Sequence, residues 1–393
     1  MSKYNFDKEF NRIGSSCYKW DGRKKFLGYP DVLPMHVADM DFQCAPEILE
    51  VIQERAAHPS FGYAIYDGSH FVTLSEWIFN QHQWKISPSW CLYSPSIVTS
   101  LSLCIHSLTT ENEGIIIQTP IYPPFMEVIR NNKRNLLVNR LKLNANGNYE
   151  INFDDFEDLC KNKNAKMFIL CSPHNPVGRV WTKNELIKIS EICLKYNIII
   201  VSDEIHSDLV YKPNKHINIS SISNEVSQNT ITCISPSKTF NIPGISSSAI
   251  IIENKILRNK LNSSIDKFHL FLPSVFSVLA FDAAYKFGNN WYQNLMLYLE
   301  NNQSILKKWS IENHEYIDYS SPEATYLGWL SFKKIKLNDS ELKKFIYEKA
   351  HVALDPGSRF GTGGENFMRI NFACPKSQLE TALHKLKCAL NSI

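Results

Sequence analysis

Ile231-Thr232-Cys233-Ile234-Ser235-Pro236-Ser237-Lys238-Thr239-Phe240 is the stretch that decides how this chain is read. Its first half is a short, continuous, β-branched apolar run. A half-exposed strand would alternate polar and apolar residues, whereas a continuous run fits a strand buried on both faces. The second half breaks at once into two hydroxyls, a proline and a lysine. In open α/β sheets ligands bind beyond the carboxyl ends of the strands, which is where this lysine falls.

Similar runs lie on either side. They are Ile115-Ile116-Ile117, Leu136-Leu137-Val138, Met167-Phe168-Ile169-Leu170, Ile198-Ile199-Ile200-Val201 and Ala249-Ile250-Ile251-Ile252. Between them run helical patterns such as 183–196, with apolar Leu186, Ile189, Ile192 and Cys193. Alternation of this kind predicts an α/β layer fold around a mostly parallel sheet. With 393 residues the chain exceeds what one core usually supports. We expect a large domain over 45–285, with the helix 71–82 in it. A smaller α+β domain is expected from 1–44 and 286–393. The tail offers helices over 291–309 and 339–350 and strands over 326–332 and 368–372.

The segments that follow the runs are polar and chemically distinct. Cys91-Leu92-Tyr93 leads to Ser94-Pro95-Ser96-Ile97-Val98, a small-residue turn into a helix. Ile117 leads to Thr119-Pro120-Ile121-Tyr122, Leu170 to Ser172-Pro173-His174-Asn175, and Val201 to Ser202-Asp203-Glu204-Ile205-His206. One sheet edge thus gathers a helix N-terminus, an aromatic ring, an amide, a carboxylate, hydroxyls and a lysine. They suit an anionic phosphate on a flat cationic heterocycle that carries an aldehyde. The helix N-terminus and serines would take the phosphate. A carboxylate would keep a ring nitrogen protonated, and the lysine would form a Schiff base.

Other classes fit less well. The net charge of +3 gives no sign of a nucleic-acid or membrane partner. The N-terminus shows no apolar leader, and the most apolar window, Phe268 to Phe281, is broken by Pro273. The ten cysteines form no C-x-x-C pair, so neither a zinc site nor a disulfide framework is expected. Buried thiols in a reducing cytoplasm fit better. Ser235-Pro236-Ser237-Lys238 also matches the S-x-x-K of serine β-lactamases, but their S-D-N and K-T-G partners are missing. Asp203-Glu204-Ile205-His206 matches a helicase box, yet no phosphate loop precedes it. A binding protein without catalysis would need neither Lys238 nor Asp203.

At these residues the chain resembles the fold-type I PLP-dependent transferases, the aminotransferase superfamily, over nearly its whole length. Within it, the chain is similar to the MalY/PatB group of cystathionine β-lyases. The motifs are Val37-Ala38-Asp39-Met40-Asp41-Phe42, Phe61-Gly62-Tyr63, Ser172 to Gly178, Ser202 to His206, Ser235 to Pro243 and Met368-Arg369-Ile370-Asn371. The resemblance implies pyridoxal 5′-phosphate (PLP) bound to Lys238, with Asp203 on the ring nitrogen. It implies Asn175 on the phenolic oxygen, Tyr122 stacked on the ring and His206 beside it. Ser235, Ser237 and the backbone of Ile97 and Val98 would hold the phosphate. Arg369 would bind the substrate carboxylate. Tyr63 would reach across a homodimer with shared active sites.

The implied activity is β-cleavage of cystathionine or another S-substituted cysteine to a thiol, pyruvate and ammonia. The alternative is an aminotransferase. Three positions depart from the wider superfamily. Ser246 stands where an arginine often binds phosphate, Ser96 where a glycine is common, and His206 where many aminotransferases have tyrosine.

Overall fold

The computed structural model describes residues 4–65, 67–145 and 147–393. Its centre is a seven-stranded sheet: β1 (Cys91–Ser94), β2 (Gly114–Thr119), β3 (Asn135–Arg140), β4 (Ala165–Cys171), β5 (Ile199–Asp203), β6 (Thr230–Ile234) and β7 (Ser248–Ile251). The spatial order is β1-β7-β6-β5-β4-β2-β3. Pairings from β6 through β3 are parallel, while β7 is antiparallel to both β6 and β1. The link from Ile234 to Ser248 carries Lys238 and returns directly, without the long crossover that a parallel neighbour needs.

The continuous apolar runs are explained by burial on both faces. Ile115, Ile117, Met167, Ile169 and Val201 pack on one side, with Leu101 and Leu261 from the covering helices. Ile116, Phe168, Leu170 and Ile200 pack on the other, with Leu186 and Ile189. Burying each such side chain contributes about 1.5–3 kcal/mol. The helix expected over 183–196 is observed as Lys183–Lys195, opened by a capping box of Thr182 and Glu185.

A four-stranded antiparallel sheet follows in the tail: β8 (Asp318–Tyr319), β9 (Leu327–Ser331), β10 (Asp355–Pro356) and β11 (Phe367–Asn371), ordered β8-β9-β11-β10. The helix expected over 339–350 runs only through Asp339–Lys344 and continues as a π-type turn, Phe345–Lys349. The N-terminal segment joins this part through Leu33 and Pro34, which pair with Val352 and Ala353. Among the described residues no helix is long and apolar enough to cross a membrane, and all ten cysteines are free.

Candidate active site

The carboxyl ends of β1, β2, β4, β5 and β6 meet at one edge. Ser94 pairs with Ser248, Ala249 with Ile234, and Cys171 with Asp203, which brings their following loops together. A cavity of about 230 Å³ opens there. It is lined by nine of the expected residues: Ile97, Val98, Tyr122, Asn175, Asp203, His206, Ser235, Ser237 and Lys238.

Lys238 rides on a single helical turn, Pro236–Thr239. Ser235 caps that turn, its Oγ accepting from the Ser237 amide at 3.2 Å. The same hydroxyl donates to the Ser247 carbonyl at 2.7 Å. The serine spacing is therefore partly a capping device that aims the lysine. The Lys238 ammonium donates to the Ala38 carbonyl at 2.6 Å. Burial pulls this amine down to about 8, with Arg369 adding to the effect and Asp39 and Asp203 opposing it.

Asp203 ends β5, and its Oδ1 accepts from the Ile205 amide at 3.1 Å. Burial pushes this carboxyl up to about 7, with the Glu204 charge adding and the Ile205 amide opposing. A cation held against it would reverse that shift. His206 has a buried Nδ1 without a protein partner. Burial, then the charges of Lys238 and Arg369, drive its ring down to about 3, so it is neutral. Burial also raises the Tyr122 phenol, which keeps its proton.

Ile97–Leu108 is the helix that points its N-terminus at the cavity. Ser96 caps it in an extended backbone conformation, φ −158°, accepting from the Thr99 amide at 3.2 Å. No left-handed turn is needed, so serine serves where a glycine is common. The first turn carries no acid. Ser246 leaves its position without a cation; its carbonyl accepts from the Tyr93 phenol at 3.0 Å.

Arg369 lies on β11 and is 2% exposed. Its Nη1 donates to Asn175 Oδ1 at 3.0 Å, and its Nη2 to Asp355 Oδ2 and the His36 carbonyl, each at 2.9 Å. Its Nε has no protein acceptor. The guanidinium is thus held from three sides with a donor to spare, a good arrangement for a small carboxylate. Tyr63 is not brought into the cavity; it is 92% exposed. Residues that the sequence reading missed are Asp355, Ala38 and Tyr326, whose phenol also donates to the Ala38 carbonyl at 2.9 Å.

The charge pattern fits PLP. A helix N-terminus free of acids faces one end of the cavity. A buried carboxylate in want of a cation stands in the wall, and the lysine lines the same cavity.

Comparison with known proteins agrees. The family model "Aminotransferase class I and II" matches residues 30–386. Cystathionine β-lyase PatB of Bacillus subtilis strain 168 is 38% identical, over 98% of this chain and 100% of its own. A PLP-bound structure from Clostridium difficile 630, described as an aminotransferase, superposes with TM-score 0.96 at 42% identity, covering 99% and 100%. The PLP-bound C–S lyase of Staphylococcus hominis superposes with TM-score 0.90 at 30% identity, covering 98% and 99%.

Proposed function

We propose that this chain, which belongs to the aminotransferase class I and II family, is a PLP-dependent carbon–sulfur β-lyase acting on cystathionine or other S-substituted L-cysteines. The observation that carries the reading is the pairing, in one cavity, of a low-pKa Lys238 with a buried Asp203. The named lyases among its relatives favour β-cleavage over transamination.

Lys238 would hold the cofactor, Asp203 would serve its ring nitrogen, and Asn175 and His206 would serve its ring oxygen. Tyr122 would cover the ring, while Ser237, with the Ile97 and Val98 amides, would take the phosphate. PLP, when bound, supplies an electron sink for the bond being broken. Arg369 grips the substrate carboxylate and fixes the Cα–H bond relative to Lys238. The freed Nζ of Lys238 takes the Cα proton. With a pKa near 8, a useful share of that amine is neutral at physiological pH. A thiolate then departs from Cβ.

A lyase returns its cofactor unchanged, whereas an aminotransferase stalls until a keto acid restores it. Cystathionine or an S-alkyl cysteine, with no keto acid added, should therefore give many pyruvates per active site. A single turnover, resumed on adding a keto acid, would establish the aminotransferase instead.

The same reading divides the chain into a cofactor domain over 45–285 and a smaller domain of 1–44 with 286–393, and it makes the enzyme a cytoplasmic homodimer. Support for the dimer comes from the exposed row Phe61, Tyr63 and Ile65. Phe61 packs 5.9 Å from Phe276, which follows exposed Phe268, Phe271 and Leu272 in the chain. In the dimer Tyr63 completes the partner's site. Mixing inactive Tyr63→Phe and Lys238→Ala proteins under subunit exchange should restore part of the activity. No recovery despite demonstrated exchange would remove Tyr63 from the shared site.

A further inference from the structure

Residues 37–42 form a strap along an outer cleft that shares Ala38 and Lys238 with the cavity, and the strap's backbone is held from two sides. Asn371 Nδ2 donates to the Val37 and Asp39 carbonyls. Asn241, three residues past Lys238, donates to the Met40 and Phe42 carbonyls and accepts from the Met40 amide. The strap's two acids meet two bases. Arg12 pairs with Asp39 at 2.8 Å and also with Asp41. Lys19 pairs with Asp41 at 2.6 Å and with Asp39 at 3.4 Å. Lys19 is 1% exposed, and although burial pulls its ammonium down, Asp41 and Asp39 outweigh that and hold it above the ordinary lysine value.

A buried ion cluster of this kind is a poor source of stability. Each ion loses several kcal/mol of hydration, and well-packed apolar residues often do as well. What the cluster does is fix a geometry and a charge. Its two acids are not equivalent. Asp41 is enclosed, with Trp20 and Gln378 also donating to it. Asp39 keeps 14% of its side chain exposed and lines the outer cleft together with Lys238.

We propose that Asp39 is a positioning residue for the lyase reaction, acting through Lys238. It fixes the strap so that the Ala38 carbonyl receives the ε-amine, and it sets a negative charge beside that amine whenever the amine carries a proton. The proposal rests on Lys238 being the cofactor lysine. The charged and titratable groups around that amine are Asp39 from the strap, Arg369 from β11, Asp203 from β5, the neutral His206 after it, and the protonated Tyr326 phenol that shares the Ala38 carbonyl. Arg369 is already paired with Asp355, so once Asp203 serves the cofactor ring, Asp39 is the carboxylate left to act on the amine itself. Without it, the lysine would take up the Cα proton in a site of low polarity with no remaining protein carboxylate to stabilise the cation.

The test is a pH titration of the visible absorption band of the PLP-loaded enzyme, run beside pH profiles of kcat and KM. Asp39→Asn removes a negative charge, so the midpoint should fall by about one pH unit. Its kcat should drop about tenfold, with KM nearly unchanged. Arg12→Gln breaks the same cluster but leaves Asp39 uncompensated, so its midpoint should rise. Shifts in opposite directions support the proposal. Shifts in the same direction, or an unmoved midpoint in either folded variant, reduce Asp39 to a structural clamp. Should Asp39→Asn fail to fold, the direction of the Arg12→Gln shift decides alone. A wild-type protein with no visible band would be a different failure, that of the cofactor assignment.

Discussion

Lys238→Ala should fold, and should lose about 10,000-fold or more in turnover. Two losses fall on one atom. General-base removal of the Cα proton is worth about 100- to 10,000-fold, and the covalent hold on the cofactor disappears with the same amine. Stability should not suffer in parallel. In the wild type, burial holds the amine near 8, below its unfolded value, so the folded state resists its charge. That penalty is full below pH 8 and fades as the pH rises toward the unfolded value. The cofactor-free variant should therefore be no less stable than the cofactor-free wild type at pH 7. A small added primary amine should return part of the activity. In the wild type, borohydride should fix PLP on Lys238, read by peptide mass spectrometry. A label on another lysine, or near-normal turnover of the variant, would sink the assignment.

Asp203→Asn should keep PLP and slow turnover by about 100-fold or more, equivalent to about 2.7 kcal/mol of lost transition-state stabilisation. The amide is nearly the same shape, so cofactor contacts survive while the charge opposite the ring nitrogen is lost. The cofactor-free protein gives an independent check of sign. Burial raises this carboxyl to about 7, above its unfolded value. Between the two values the unfolded chain releases a proton that the folded chain retains. The wild type thus loses stability as the pH climbs through that window, and the amide does not. At pH 7 the variant lacking PLP should melt higher than the wild type lacking PLP. A variant with bound PLP and nearly full activity would remove Asp203 from its role.

Much of this was legible in the chain because buried strands leave a plain signature. Runs such as Ile115-Ile116-Ile117 announce the sheet, and the polar residues after them announce the edge. The antiparallel course of β7 was not legible, since an apolar run carries no sense of direction. Arg369 could be picked out, but not its partner Asp355. That pair depends on Asp355 facing Arg369 in the β10–β11 register, which a two-residue strand does not reveal. Arg12 and Lys19 look in the sequence like ordinary surface cations. Their burial is set by Asp39 and Asp41, and only packing of the N-terminal segment brings the four together. Tyr63 is singled out only by resemblance, because its exposed side chain makes no contact with its own chain's cavity.

The contacts between Lys238 and Ala38, and between Arg369 and His36, join positions 200 and 333 residues apart. These separations have a meaning for synthesis on the ribosome. His36 emerges early, yet its partner is made only after 333 further residues. At about 5–20 residues per second, that is a delay of roughly 17–67 s. Through it the strap and the two cations beneath it have no finished cleft to close. The sheet strands β1 to β7 can assemble first, since their contacts lie within a shorter stretch. The mouth of the cleft is then the last part of the molecule to form, and under the proposed function a nascent chain released before Arg369 would hold the lysine without the means to orient a substrate.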